Sequence, residues 1–341
     1  MPMKILVTGG TGYIGSHTVV ELQAKGFEVV IVDNLSNSSS DIVEKISEIS
    51  GIIPKLEIFD LTNKDLVADF FSRNNDIVGI IHFAAYKAVG ESVNKPLLYY
   101  RNNIESLINV MEGMQTNGIE NIVFSSSCTV YGQPDVLPVN EQAPIKIAES
   151  PYGNTKQISE EIIQDTVKSS NINAIALRYF NPIGAHETAL IGELPLGVPN
   201  NLMPFITQTA IGIRKCLSVF GDDYPTPDGT AIRDYIHVVD LAKAHVIAID
   251  RMISKNMKDD LEIFNLGTGN GYSVLEVINS FERVSGLKLN YQIVGRREGD
   301  IIQVWADPTY SNEELGWKAE MGIDEMTNSA WNWEQFLSKK K

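Results

Sequence analysis

Cysteine is scarce. Cys128 and Cys216 are the only two among 341 residues, and they lie far apart. No disulfide framework can be built from them, and a reducing, cytoplasmic setting fits. Long apolar runs are also missing. Nothing approaches the roughly 18 residues that a membrane-spanning helix needs, so no membrane partner is expected. The chain enters an apolar strand within its first few residues, so no signal peptide is expected. Basic residues are few: 28 against 43 acidic ones, for a formal net charge of −15. That field opposes nucleic acid and anionic membranes. It opposes small anions too, so a nucleotide would have to be held by local donors and a few placed arginines. The five histidines are scattered. His237 and Asp240 share a spacing that could face a metal, but no third ligand accompanies them, and a core or capping role is expected instead. There is no internal repeat and no low-complexity segment.

What is present is a core-forming composition, 43% apolar, arranged as an alternation of short β-branched runs and helical patterns. The runs are Lys4 to Val7, Phe27 to Val32, Lys55 to Phe59, Gly79 to Phe83, Asn121 to Phe124, Asn173 to Leu177 and Glu262 to Leu266. Their order predicts an α/β fold with a doubly wound parallel Rossmann sheet of about seven strands. Beyond Asn181 the composition turns Pro- and Gly-rich. This predicts a Rossmann domain over residues 1–181, with a returning segment near 235–266. A smaller C-terminal α/β substrate domain would then occupy 182–341.

The first strand runs into Thr8-Gly9-Gly10-Thr11-Gly12-Tyr13-Ile14-Gly15, and a helical pattern follows, ending near Gly26. Strand, glycine turn and helix together make a phosphate cradle. Small residues let backbone N–H groups approach a pyrophosphate, and the helix N-terminus adds partial positive charge. The second strand ends in Asp33, where an adenosine ribose needs an acceptor. A carboxylate there repels a 2′-phosphate and so favours NAD over NADP.

Further along, Tyr152 and Lys156 stand at i and i+4 on one face of a helical pattern. An ammonium beside a phenol favours the phenolate, which makes Tyr152 a usable acid and base. Ser125-Ser126-Ser127 follows the fifth strand, where loop residues face the crevice. Ser127 could hydrogen-bond the hydroxyl that Tyr152 deprotonates. Ser127, Tyr152 and Lys156 are therefore the candidate catalytic set.

Read together, these blocks resemble the extended short-chain dehydrogenase/reductase family and, within it, the UDP-glucose 4-epimerases. The resemblance continues through His82 to Ser92, Arg178 to Pro182, Pro199 to Leu202, Arg233 to His237 and Arg296 to Asp300. It implies reversible inversion at C4 of a UDP-hexose through a transient 4-keto sugar, with NAD kept bound. For NAD it points to Gly9, Gly12, Tyr13, Ile14, Gly15, Asp33, Asn34, Asp60, Leu61, Phe83, Ala84, Lys87, Asn102, Ser125, Tyr152, Lys156 and Phe180. For the UDP-sugar it points to Ser127, Tyr152, Asn181, Asn201, Leu202, Ser218, Phe220, Arg233, Arg297, Asp300 and Val304. Arg233 and Arg297 are the forked donors that a diphosphate needs in an acidic protein. Val304 falls where a large aromatic would restrict the sugar's C2 substituent, so a valine implies a wider pocket that admits N-acetylated UDP-hexoses.

A 4,6-dehydratase or decarboxylase of the same superfamily would need an acid beside the catalytic hydroxyl, where this chain has Ser127-Cys128-Thr129. A UDP-uronate 4-epimerase would need a cation facing C6. A non-catalytic NAD-binding sensor or scaffold would not need an intact Ser/Tyr/Lys set. The apolar surplus between Leu97 and Met114, beside the helix from Tyr152 to Val167, predicts a homodimer joined by a four-helix bundle.

Overall fold

The computed structural model describes residues 2–297 and 301–339. The first half alternates as predicted: β1 (Lys4–Thr8), α1 (Tyr13–Ala24), β2 (Glu28–Asp33), α2 (Ile42–Ser50), β3 (Lys55–Ile58), α3 (Lys64–Arg73), β4 (Ile77–His82), α4 (Val89–Asn94), α5 (Pro96–Asn117), β5 (Asn121–Ser127), α6 (Pro151–Ser169) and β6 (Asn173–Tyr179). The second half continues with β7 (Asn181–Ile183), α7 (Leu202–Ala210), β8 (Leu217–Phe220), β9 (Ile232–His237), α8 (Val238–Ile253), β10 (Leu261–Leu266), β11 (Gly271–Ser273), α9 (Val274–Ser285), β12 (Tyr291–Val294), β13 (Gln303–Val304) and α10 (Ile323–Ser338).

Seven parallel strands form one sheet in the order β10-β6-β5-β4-β1-β2-β3. The strand order reverses between β1 and β4, and a crevice opens there beyond the carboxyl ends of the strands. Both faces are covered, and the period of two explains how. Ile5, Val7, Val29, Ile31, Ile81 and Val123 pack on one side, in a cluster that also holds residues of α1 and α8. Leu6, Val30, Val32, Ile80, Ile122 and Phe124 pack on the other, against residues of α3, α5 and α6. Each such side chain taken fully out of water stabilises the fold by roughly 1.5–3 kcal/mol.

β9 does not join this sheet. It pairs with β7, β11 and β13 in a small mixed sheet, while β8 and β12 pair separately. The chain therefore returns to the large sheet at α8, not at Tyr235, which lies in β9. A polar pattern starts this switch. His237 caps α8, its Nδ1 accepting from Val239 N (3.1 Å), and the Asp240 carboxylate accepts from Glu320 N and Met321 N. Among the described residues no helix is long and apolar enough to cross a membrane.

Candidate active site

A cleft of about 270 Å³ opens at the carboxyl ends of β1, β2, β4, β5 and β6. Its floor is the glycine turn. Gly9 adopts φ +69°, and its N–H donates to Val32 O (2.8 Å), which holds the turn against β2. A Cβ on Gly15 would strike the Gly9 carbonyl, so helix and turn can approach this closely only with glycine. No side chain caps α1 and no acid stands in its first turn, so the partial positive charge of its N-terminus faces the cleft. Asp33, at the end of β2, accepts from Thr11 N (3.2 Å) and Leu35 N (2.9 Å) and keeps its carboxylate against the turn.

The opposite wall carries the three chemistry-bearing residues. Ser150 caps α6 by accepting from Gly153 N (3.1 Å), and Pro151 takes the first helical position. Tyr152 and Lys156 therefore project from the first turns of α6. Ser125 to Ser127, expected in a loop, are instead the last three residues of β5, in register with Leu177, Arg178 and Tyr179 of β6. The strand's alternation explains their separate fates. Ser125 and Ser127 line the cleft, whereas Ser126 points away and donates to Glu160 (2.5 Å).

Lys156 is fully enclosed. Its Nζ donates to the Ser125 carbonyl (2.5 Å), lies 4.8 Å from the Phe124 ring centre and 6.0 Å from that of Tyr152. Burial draws its pKa down to about 8, with Glu160 pulling the other way. Burial, followed by Tyr179, lifts the Tyr152 phenol well above the usual tyrosine range, against a hydrogen bond from Ser127. Burial thus opposes ionisation of this phenol, while the neighbouring Lys156 ammonium is hydrogen-bonded to Ser125 O. Burial pushes the Cys128 thiol up to about 12, so it lines the cleft as an unreactive small side chain.

All seventeen residues that the resemblance linked to NAD line this one cleft, together with Ser127, Asn181 and Asn201. Leu202, Ser218, Phe220, Arg233, Arg297 and Val304 do not line it. Leu202 begins α7 beside Asn201. Ser218 and Phe220 lie on β8, and the Arg297 guanidinium stands 5.8 Å from the Phe220 ring centre. Val304 pairs with Arg233 across β13 and β9. It is buried in a cluster with Val130, Tyr131 and Phe180, against which Cys128 packs, and Phe180 and Cys128 of this group line the cleft. Asp300 lies outside the described residues.

Tyr179 is a cleft residue to which the sequence motifs assign no role. It is buried at the end of β6, shares a short hydrogen bond with Ser125 Oγ, and so touches the strand residue whose carbonyl holds Lys156. Its position at the carboxyl end of a predicted strand was the available signal.

A doubly wound sheet with this glycine turn and a Ser, Tyr and Lys gathered in one crevice defines the extended short-chain dehydrogenase/reductase class. Comparison narrows it. The family described as GDP-mannose 4,6 dehydratase matches residues 6–330. A UDP-glucose 4-epimerase of Bacillus subtilis is 50% identical over 333 residues, covering 97% of each chain. The human UDP-glucose 4-epimerase is 46% identical, covering 98% of this chain and 97% of its own. Among solved structures, the Stenotrophomonas maltophila enzyme with bound NAD and formylated UDP-arabinopyranose superposes with a TM-score of 0.95 at 46% identity, covering 99% of this chain and 100% of its own. The Bifidobacterium longum enzyme in complex with NAD+ and UDP gives 0.94, also at 46% identity, with the same coverage. The chain belongs to the UDP-glucose 4-epimerase family.

Proposed function

We propose that this protein inverts C4 of UDP-hexoses, interconverting UDP-glucose and UDP-galactose with NAD as a resident cofactor. The observation that carries the reading is the convergence of Ser127, Tyr152 and Lys156 on the cleft whose floor is the glycine turn and Asp33. NAD fits these residues. The turn is shaped so that a Cβ at Gly9 would press on the Ala84 backbone, and the uncapped N-terminus of α1 is an anion site. Gly12, Tyr13, Ile14 and Gly15 would hold the pyrophosphate and Asp33 the adenosine ribose, with Asn34, Asp60 and Leu61 at the adenine. Phe83, Ala84, Lys87, Asn102, Ser125 and Phe180 would surround the rest. When bound, NAD supplies a hydride acceptor and donor. Tyr152 takes and returns the proton of the sugar's 4-hydroxyl, Ser127 aligns that hydroxyl, and the Lys156 ammonium stabilises the phenolate as it forms. Asn181, Asn201, Leu202, Arg233, Arg297 and Asp300 would hold the UDP-sugar, with Ser218 and Phe220 at the uracil.

One rival lacks its own chemistry here. A dehydratase needs an acid next to Ser127, and the chain has Cys128 and Thr129. The proposed division of labour gives residues 1–181 and the returning segment to NAD, and 182–341 to the sugar nucleotide. The proposed location is the cytoplasm, which suits two free cysteines.

Two expected results test these readings. The purified protein converts UDP-galactose with no NAD added, and it also converts UDP-N-acetylgalactosamine, because Val304 leaves the cluster beside the cleft small. In Val304→Tyr, the ring cannot fit a site where Val304 is only 3% exposed, and it pushes Phe180 and Cys128 toward the cleft. The N-acetyl activity should then fall at least ~10-fold more than the UDP-galactose activity, as one steric contact costs roughly 1–3 kcal/mol. Equal losses would remove Val304 as the gate, and no conversion without added NAD would remove the resident cofactor.

Assembly is proposed as a homodimer through α4, α5 and α6. Leu107, Val110, Met111 and Met114 of α5 are committed to the core. Val89, Val93, Leu97, Leu98 and Ile108 remain exposed on α4 and α5. Sedimentation at micromolar concentration should give twice the monomer mass, and Leu97→Glu should shift it to the monomer.

A further inference from the structure

Glu193 stands between the two walls of the cleft. Its Oε1 accepts a hydrogen bond from Nδ2 of Asn201 (2.5 Å) and lies 3.7 Å from Nζ of Lys87. Lys87 follows β4 of the large sheet, and Asn201 opens α7 on the other side. Both line the cleft, and both offer N–H donors.

Asn201 occupies the N-cap position of α7, with extended φ and ψ of −101° and 150°. An asparagine there ordinarily accepts from the helix's own first-turn N–H groups. It makes no such bond, and its amide is turned to Glu193 instead. The acid is the anchored member of the trio. Its backbone carbonyl accepts from Trp333 Nε1 (3.0 Å), and a Cβ on Gly192 would strike the Trp333 ring. Its side chain is 12% exposed, against 52% for Lys87, and Asn201 is exposed as well.

Packing does not explain an acid here. Glu193 Oε2 is buried and has no hydrogen-bond partner among the described residues. A bare carboxylate oxygen in such a place is unfavourable, and an apolar side chain would avoid it. What the acid provides is the Oε1 contact with two cleft residues at once.

We infer that Glu193 is a positioning residue that presents the Asn201 amide and the Lys87 ammonium to the diphosphate-bearing ligands on the two sides of the cleft. The inference rests on the roles proposed above for Asn201 and Lys87. Without Glu193, the Asn201 side chain turns back to cap α7 and withdraws its donor from the UDP-sugar.

The test is a mutant cycle read as KM and kcat for UDP-galactose. Glu193→Met keeps the volume and removes both oxygens; it should raise KM about tenfold, the scale of one hydrogen bond to a charged partner, with kcat within about threefold. Glu193→Gln keeps an acceptor for Asn201 and should stay within about threefold of the wild type in KM. Asn201→Ala should raise KM at least as much as Glu193→Met, and the double variant should be no worse than Asn201→Ala alone. If Asn201→Ala raises KM while Glu193→Met does not, or if the two effects multiply, the positioning role is overturned and the reading of Asn201 stands. If neither variant moves KM, the reading of Asn201 fails and the inference falls with it. A Gln variant as impaired as Met overturns the acceptor argument. Melting curves accompany each variant. Should Glu193→Met melt early, Glu193→Ala replaces it in the cycle, with the same rise in KM expected and an unchanged KM overturning the positioning role.

Discussion

Tyr152→Phe should lose at least ~100-fold in kcat for UDP-galactose while keeping NAD bound, the usual scale for removing a positioned acid and base. The substitution deletes one oxygen and leaves the ring. That ring is held on α6 by the Ser150 cap and Pro151, and faces the Lys156 ammonium at 6.0 Å. Phe keeps this contact, so the cleft wall should stay in place. What disappears is the group that carries the proton of the 4-hydroxyl. Burial raises the Tyr152 phenol as described, and the Lys156 charge beside it opposes that rise by favouring the phenolate that takes the 4-hydroxyl proton. Lys156 is suited to that task, because its ammonium persists at neutral pH even though burial lowers it to about 8. The measurements are turnover and NAD content, the latter from the denatured supernatant. Activity within a fewfold of the wild type would remove Tyr152 from the chemistry. Loss of NAD along with activity would make its role one of binding.

Arg178→Met should lower stability by about 3–5 kcal/mol, the cost of leaving a buried partner charge unpaired. For a chain of this size that corresponds to a melting temperature lower by roughly 4–7 °C. Arg178 is 4% exposed and lies on β6. Its Nε and Nη2 donate to the two oxygens of Glu160 at 2.9 and 2.5 Å, and its Nη1 donates to the Tyr131 hydroxyl at 3.0 Å. That hydroxyl donates in turn to Asn265 Oδ1 (2.7 Å), and Ser126 also donates to Glu160. One guanidinium thus joins β6, β10, the turn after Ser127 and the helix that carries Tyr152 and Lys156. Removing it leaves a carboxylate one turn from Lys156 with Ser126 as its one remaining side-chain donor among the described residues. The double variant Arg178→Met with Glu160→Leu should recover part of the loss, because a well-packed apolar pair avoids the desolvation penalty. Differential scanning calorimetry reads both. A single variant that melts within about 2 °C of the wild type would show that the network does not hold this wall together.

Much of this architecture is written in short-range patterns. The seven strands were legible because buried parallel strands are continuous β-branched runs, and the helices between them alternate regularly. The glycine turn and Asp33 were legible because close backbone approach admits few residue types. Ser127, Tyr152 and Lys156 were legible as a serine just past a strand run and one face of a helix, positions that a sequence specifies locally.

Other features depended on residues meeting across distances that no local period encodes. Ser125 to Ser127 read as a loop, because three polar residues look like one. Pairing with β6 makes them strand and sends Ser126 to Glu160 rather than into the cleft. Tyr235 read as part of the return to the large sheet, but β9 found its partners in β7, β11 and β13, whose register is a tertiary matter. Val304 had a position in the chain but no neighbours until β13 paired with β9 and buried it beside Phe180. No motif assigned a role to Tyr179 or Glu193, and their importance is a matter of contact with Ser125, Lys87 and Asn201. The titration of the catalytic pair was likewise undecided by spacing. The i, i+4 relation puts Lys156 beside Tyr152, but only packing shows the ammonium hydrogen-bonded to Ser125 O and both groups stripped of water. Sequence by itself determined which elements form and which chemistry they carry, because propensity and periodicity are local. The tertiary structure decided which side chains share a cleft and how they titrate, because burial and long-range pairing are properties of the assembled chain.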